Sequence, residues 1–211
     1  MILTVGNTKG GVGKTTVAIN LAILRVIGGQ DVLLVDGDDQ GSATLFSQLR
    51  AEKLGSGGYT AVTLSGSALR TQVRQLAPKY DDIIIDVGGR DTGSLRAALT
   101  VSHVLLVPVQ PRTFDIWALD QVAALVEEAR ELNPKLRAIA FLNGADAQGR
   151  DNIDAHEAMA EVEGIETVDL VLVRRKTFPN AGAHGRGIIE AQPRDLKAIA
   201  ELTALAKMAF G

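Results

Sequence analysis

The stretch that decides the fold opens the chain: ILTVGNTKGGVGKTT, residues 2–16. Its first four residues, Ile2–Val5, form an apolar run typical of a buried strand, and Thr15–Ile27 has the nearly all-round apolar character of a buried helix. The glycines between them let the backbone wrap tightly, so that consecutive N–H groups point inward at phosphate oxygens. The helix N-terminus adds partial positive charge at the same place. The stretch therefore predicts a phosphate-binding loop between a strand and a helix.

Each residue of this loop has an expected task. Lys14 is predicted to reach the β- and γ-phosphates of ATP as a catalytic cation, and the Thr15 hydroxyl to ligate Mg²⁺. ATP and Mg²⁺ are thus the expected cofactors. The residues expected to contact the nucleotide here are Gly10, Gly11, Val12, Gly13, Lys14, Thr15 and Thr16. Thr8 stands where the common pattern has its first glycine.

Short apolar runs recur along the rest of the chain, separated by stretches with helical spacing. The further runs are Val32–Val35, Ile83–Ile85, Val104–Val107, Ile139–Leu142 and Leu170–Val173. Uninterrupted runs indicate strands that are covered on both faces, as in a parallel sheet. We expect an α/β fold, doubly wound, with a mostly parallel sheet flanked by helices (the P-loop NTPase fold), in a single domain over residues 1–211. Helices are predicted over Thr113–Leu132 and Pro193–Phe210, and a flexible loop over Gly55–Tyr59.

Composition narrows the function classes. The chain has 211 residues, a formal net charge of −3 and no cysteine. The missing cysteines exclude disulfides, thiolate catalysis and iron–sulfur or zinc–thiolate sites. No signal peptide and no apolar run of about 20 residues is seen, so a cytoplasmic protein without a membrane partner is expected. The overall charge does not attract nucleic acid, so any DNA binding needs a local basic patch.

The pair of lysines in the loop resembles a known family. Lys9-Gly10-Gly11-Val12-Gly13-Lys14-Thr15-Thr16 is similar to the deviant Walker A motif of the ParA/MinD ATPases. The resemblance implies a homodimer that forms with ATP, in which Lys9 reaches across the interface to the partner's phosphates as a second catalytic cation. Two polyanionic nucleotides repel each other unless cations lie between them, and a lysine suits that task. The alternative is a solvated loop lysine. The resemblance also leads us to expect no N-terminal DNA-reading domain.

Acidic residues follow two of the apolar runs. Asp36, Asp38 and Asp39 follow the second run, in a segment similar to the family's Asp-x-Asp-Pro-Gln with Asp39 in place of proline. The resemblance implies that Asp38 positions the attacking water or a magnesium-bound water, and that Asp36 holds the loop; Asp39 competes for either task. The alternative is that these acids cap a helix at Gly41–Gln48. Asp86 ends the third run as in a Walker B strand, which predicts a magnesium ligand.

Several further residues have weaker assignments. The role of Gly88-Gly89-Arg90, where the family has a loop that senses the γ-phosphate, stays open, and Arg90 is either a nucleotide-facing cation or a surface residue. Asn143, at a strand end, is predicted to contact the adenine edge. By resemblance, Arg175, Phe178, Gly185 and Glu190 lie around the nucleotide base and the dimer edge, and Arg175 and Phe178 are expected to contact the nucleotide. The remaining residues expected to be structural are His103, His156, His184 and Trp117.

The leading functional hypothesis is a ParA-type switch that binds DNA non-specifically as an ATP dimer, localises to the nucleoid, and hydrolyses ATP slowly until a ParB-like or other adaptor protein stimulates it. The candidate DNA-binding cluster comprises Arg174, Arg175, Lys176, Arg186, Arg194 and Lys197. An ordinary solvated face is its alternative.

A MinD-like membrane-cycling ATPase needs a basic amphipathic C-terminal helix, which Leu196–Phe210 does not resemble. A metabolic ATP-dependent ligase or amidase on the same fold remains a third class. The cargo has no signature in the sequence.

Overall fold

One seven-stranded sheet organises the chain in the computed structural model, which describes residues 1–89, 92–147 and 149–211, without the side chains of 113–116. The spatial order is β3-β2-β4-β1-β5-β6-β7, and every pairing in this sheet is parallel. The strands are β1 (Ile2–Val5), β2 (Val32–Gly37), β3 (Thr60–Thr63), β4 (Asp82–Val87), β5 (Val104–Val109), β6 (Arg137–Ala145) and β7 (Glu166–Val173). The predicted fold class is confirmed.

Helices follow the strands and cover both faces of the sheet. They are α1 (Lys14–Ile27), α2 (Ser42–Leu54), α3 (Gly66–Leu76), α4 (Thr92–Leu99), α5 (Thr113–Leu132), α6 (Arg150–Ala160), α7 (Thr177–Gly182) and α8 (Leu196–Phe210), with short 3₁₀ turns at Ala77–Lys79 and Ile188–Glu190. No described helix has the length and hydropathy of a membrane span.

Two apolar cores lie on opposite faces of the sheet. Leu33 and Ile83 pack in one core with α3 to α6, whereas Leu34 and Ile84 pack in the other with α1 and α8. Successive strand residues therefore enter different cores, as the pleat requires. Strands β2, β4 and β5 are buried along their full length, which explains why their sequences are continuous apolar runs.

This topology places the polar strand ends together. β1 lies between β4 and β5 at the centre of the sheet, and parallel strands bring all their carboxyl ends to one edge. In register, Val5 and Asp36 each pair with Asp86. The loop after β1 and the acids after β2 and β4 consequently share the edge where doubly wound folds bind ligands.

Three sequence predictions differ from the structure. The last helix begins at Leu196 rather than Pro193, because the Asp195 carboxylate accepts the Ala198 N–H at 3.1 Å and caps it there. Trp117 is 61% exposed and therefore does not lie in either core. The edge strand β3, directly after the predicted loop Gly55–Tyr59, is not among the predicted strands. It is mostly exposed and so lacks the apolar run that marks the inner strands.

Candidate nucleotide-binding site

The loop between β1 and α1 is held in a closed shape by its own side chains. Gly11 and Gly13 adopt φ of 78° and 89°, a left-handed conformation that favours glycine. The Asn7 amide is buried, donates to the Pro108 carbonyl at 2.9 Å and accepts the Lys9 N–H at 2.9 Å. The loop is therefore anchored to the end of β5.

Lys14 lies inside this loop. Its ammonium donates to the Lys9 carbonyl at 2.8 Å, and the side chain is almost fully buried. Burial lowers the pKa of Lys14, while the negative charges of Asp86 and Asp38 act in the opposite direction. The predicted phosphate-binding cation is thus desolvated, close to two carboxylates and hydrogen-bonded to an acceptor that a phosphate oxygen would replace.

Asp86 has the properties of a metal ligand. The residue is 1% exposed, and neither carboxylate oxygen has a hydrogen-bond partner among the described residues. Burial raises the pKa of this carboxyl to about 7, and the charges of Asp36 and Asp38 add to the increase. The Thr15 hydroxyl and the positive charge of Lys14 act to lower the pKa of Asp86, although the hydroxyl is not in hydrogen-bond geometry with the carboxylate. A buried, unpartnered carboxylate beside a threonine hydroxyl fits Mg²⁺, the hard cation that prefers such oxygens.

The three aspartates after β2 differ in their hydrogen bonds and burial. The Asp36 carboxylate accepts the Asp38 N–H at 3.2 Å and the Thr44 N–H at 2.7 Å, so it both holds the loop and binds the first turn of α2. Asp38 accepts the Gln40 N–H at 3.1 Å and is only partly buried. Asp39 is exposed. Asp38 and Asp39 both line the phosphate cleft, but Asp38 is the less exposed of the two and its charge acts on Lys14 and Asp86, so it is the better placed to orient a water. This assignment stays a prediction.

Two glycines after β4 pack against the loop, a contact that the sequence did not reveal. A Cβ on Gly89 would lie 2.8 Å from the Lys9 carbonyl carbon and oxygen, and one on Gly88 would lie 2.8 Å from Asp38 Oδ1. Real Cβ atoms do not approach so closely. At position 89 the atoms met are backbone atoms, so only glycine fits there, whereas a Cβ at position 88 would displace the Asp38 carboxylate. The segment that follows the Walker B strand therefore packs against both the Asp38 side chain and the Lys9 backbone. Arg90 lies outside the described residues.

Two adjoining cavities complete the site. A cleft of about 500 Å³ is lined by the glycine loop, Lys14, Asp38 and Gly89. A smaller cavity of about 180 Å³ shares Gly13 and Thr16 with it and continues between Asn143, Arg175 and Phe178. The first cavity matches the predicted phosphate contacts, and the second brings together the three residues predicted around the base.

Asn143 also supports the loop itself. Its side-chain nitrogen donates to the Val12 carbonyl at 2.6 Å, and a Cβ on Gly13 would meet that nitrogen at 2.4 Å. The amide is thus committed to the loop backbone, and a contact to adenine would use its remaining hydrogen-bonding capacity. That contact stays a prediction.

The candidate DNA-binding cluster separates into two groups. The exposed cations are Arg174, Lys176, Arg186, Arg194 and Lys197. Arg175 differs because it is partly buried and donates to both oxygens of Glu201, at 2.5 and 2.7 Å. Its charge is already paired with Glu201, so it is less available to DNA than the five exposed cations, and it lines the smaller cavity, where it was predicted to lie around the base.

The residues predicted near the dimer edge also brace the fold. Arg50 on α2 is 5% exposed and donates to the Gly185 carbonyl at 2.8 Å and to both Glu190 oxygens at 2.7 and 2.9 Å. This pair joins α2, which begins just after the Asp38 loop, to the turn that follows α7.

The sequence analysis did not identify Asn7, Arg50 or Glu201. Of these, Asn7 could have been found from its position between the first strand and Lys9.

Two of the histidines contact the backbone. The His103 Nδ1 accepts the Ile2 N–H at 2.8 Å, and the His184 Nδ1 contacts the Asn180 carbonyl at 2.9 Å. Within the described ranges no cluster of three or more histidines, cysteines and acids could hold a metal. Both contacts agree with the structural roles predicted for His103 and His184.

Comparison with known proteins agrees with this geometry. Residues 3–188 match the model of the CobQ/CobB/MinD/ParA nucleotide binding domain. The chain belongs to this family. ATP with Mg²⁺ is the cofactor pair of ParA/MinD proteins, as predicted, and the family consists of ATPases.

Individual ParA/MinD relatives cover most of the chain. The maintenance of carboxysome distribution protein A of Halothiobacillus neapolitanus is 28% identical over 96% of this chain and 93% of its own length. The chromosome-partitioning ATPase Soj of Thermus thermophilus is 34% identical over 66% of this chain and 67% of its own length. The Cyanothece McdA(D38A)–ATP complex shares the fold, with a TM-score of 0.82 at 18% identity over 100% of this chain and 96% of that one.

Proposed function

We propose that this protein is a ParA-type ATPase that closes into a homodimer when it binds ATP and reopens after hydrolysis. The observation that carries the proposal is the position of Lys9. Its side chain is exposed, its N–H donates to Asn7, its carbonyl accepts from the Lys14 ammonium, and Gly89 packs closely against that carbonyl at the phosphate cleft. A lysine whose backbone is fixed at the cleft and whose side chain is exposed suits contact with a second nucleotide across an interface.

We propose that hydrolysis is slow in the isolated protein. Bound Mg²⁺ would neutralise phosphate charge, while Lys14 holds the phosphates and Asp38 orients the water. The described lining of the cleft contains no arginine. An arginine supplied in trans raises such rates by about 10³–10⁵-fold, so stimulation by a ParB-like or other adaptor protein is expected.

DNA binding belongs to the same proposal. Five exposed cations lie between Arg174 and Lys197 on a chain of net charge −3, so the attraction to phosphates is local. A dimer doubles this surface, which makes DNA affinity depend on ATP. Non-specific DNA binding would place the protein at the nucleoid, in the cytoplasm, where it partitions or positions DNA or another cargo; carboxysome distribution and chromosome partitioning are the tasks of two relatives.

The C-terminal helix argues against a membrane-cycling alternative. In α8, Ala198, Leu202 and Leu205 are buried in the core on one face of the sheet. A helix that inserts into a membrane surface would need this apolar face exposed.

Light scattering with ATP, with ADP and without nucleotide tests the proposal, with Asp38→Ala used to slow turnover. A dimer that forms only with ATP supports the switch, and DNA and liposome binding are then measured on that species. A mass that does not change with nucleotide contradicts it and favours a metabolic ATP-dependent enzyme instead.

A further inference from the structure

The cavity assigned to the base is walled on one side by a connected set of charged groups around Arg175. Both terminal nitrogens of Arg175 donate to Glu201, at 2.5 and 2.7 Å, and its Nε lies 3.5 Å from Asp195. The Arg175 side chain is only 16% exposed. Its N–H edge is thus engaged by carboxylates on two sides, a planar bidentate arrangement that lysine cannot reproduce.

The two carboxylates are fixed in turn by the backbone around the cavity. Glu201 accepts the Val173 N–H at 3.1 Å at the end of β7. Asp195 accepts the Thr177 hydroxyl at 2.8 Å at the start of α7 and the Ala198 N–H at 3.1 Å in the first turn of α8. The network therefore joins three elements that line the cavity.

The remaining lining of the cavity is largely apolar. Val17 on α1, Leu172 on β7, Phe178 on α7 and Leu202 on α8 contribute to it. Such a cavity with a few fixed polar groups is typical of a site for a flat, mostly apolar ring. A guanidinium group stacks on such rings through its planar face.

We propose that Glu201 and Asp195 are positioning residues of the base cavity: they occupy the N–H edge of Arg175, so that its planar face serves as the wall on which a purine base stacks. This inference rests on the proposed nucleotide site and deepens it, because it names what selects the base. A purine offers a larger ring surface than a pyrimidine, so the stacked wall favours adenine nucleotides over cytosine nucleotides.

The neighbouring Arg174 shows why the carboxylates matter. It is exposed, and its Nε donates only weakly to the Gly144 carbonyl, at 3.3 Å. Arg174 also lines the cavity, but among the described residues no ion pair to a carboxylate fixes its guanidinium. Glu201 and Asp195 hold the guanidinium of Arg175 in place.

Calorimetry with the magnesium complexes of ADP, CDP and inorganic tripolyphosphate tests the proposal on the full chain. The variants are Glu201→Gln and Arg175→Lys, with Thr203→Ala as a control because Thr203 is an exposed residue two positions further along α8. We expect both site variants to weaken ADP binding by about tenfold, the size of a lost cation–π contact, and to reduce the preference for ADP over CDP. Tripolyphosphate binding should not change, and Thr203→Ala should behave as wild type.

Two results would overturn the proposal. Equal losses for ADP and tripolyphosphate would show a general disruption of the site, and an unchanged ADP affinity in Arg175→Lys would show that the planar group is not used. Arg175→Lys keeps the positive charge between the carboxylates, so it tests the idea even if Glu201→Gln fails to fold. Absence of an ATP dimer or of DNA binding would leave these affinity ratios unaffected, so the proposed function fails separately.

Discussion

At the residue scale, the two lysines of the loop occupy different environments. Lys14 is buried beside Asp38 and Asp86, whereas the Lys9 side chain is exposed. Lys14→Ala should abolish ATP binding, because it removes the only lysine buried within the described loop. Lys9→Ala should keep ATP binding and lose the ATP-dependent dimer. Calorimetry and light scattering separate the two effects, with Lys135→Ala as a control at an exposed position before β6; loss of ATP binding in Lys9→Ala would show that Lys9 acts within its own subunit.

The buried Asp86 carboxyl gives a second prediction, on stability. Its pKa is about 7 in the folded protein and 3.8 ordinarily, so the folded state holds the proton over a range where the unfolded chain has lost it. The free energy of unfolding of the metal-free protein should therefore fall as pH rises from about 4 to about 7 and level off above that. Asp86→Asn should remove this dependence and raise the unfolding free energy at pH 8 by roughly 2–4 kcal/mol.

Urea denaturation at pH 5 and pH 8 in the presence of EDTA measures the effect. Glu52→Gln on the exposed side of α2 is the matched control, because it removes a carboxylate that is exposed to solvent rather than buried. If Asp86→Asn destabilises the metal-free protein at pH 8, the carboxylate has a stabilising partner and the magnesium assignment weakens. The same variant should bind ATP more weakly when magnesium is present.

At the scale of elements, the segment after β4 controls the shape of the phosphate loop. An alanine Cβ at position 89 would lie 2.8 Å from the Lys9 carbonyl and 3.0 Å from the Gly10 nitrogen, both backbone atoms that cannot rotate away. Gly89→Ala should therefore displace the loop and weaken ATP binding by about 1–3 kcal/mol, the usual cost of overpacking. Gly57→Ala is the control, since its Cβ would only meet the Tyr59 carbonyl at 3.5 Å. Equal ATP affinity in both variants would show that the loop has room to shift.

Strands that are buried on both faces could be predicted from the sequence, whereas of the two edge strands only the end of β7, Leu170–Val173, has an apolar run. The inner strands β1, β2, β4 and β5 leave continuous apolar runs, and Asp36 and Asp86 follow from where those runs end. β3 has no such run because it is an exposed edge strand. The contacts of Gly89 with Lys9, of Arg50 with Glu190 and of Arg175 with Glu201 join distant segments. No local pattern encodes such pairings, which arise only when the sheet assembles.

At the scale of the whole molecule, the charge distribution makes DNA binding depend on salt. The exposed cations between Arg174 and Lys197 would release counterions from DNA, and each phosphate contact contributes about −0.9 to the slope of log affinity against log salt. Removing one contact in each subunit of an ATP dimer should thus reduce the slope by about 2. We expect this for Arg194→Ala and for Lys197→Ala, with similar losses on every DNA sequence.

Fluorescence anisotropy on the Asp38→Ala protein with saturating ATP, at several salt concentrations, measures that slope. Lys79→Ala is the control, because Lys79 is exposed in the 3₁₀ turn before β4, at the amino edge of the sheet. A slope that matches wild type in Arg194→Ala, Lys197→Ala and the double variant would place DNA on another surface. A slope near zero for the unmodified dimer would contradict DNA binding itself and leave a protein or organelle surface as what the ATP dimer recognises.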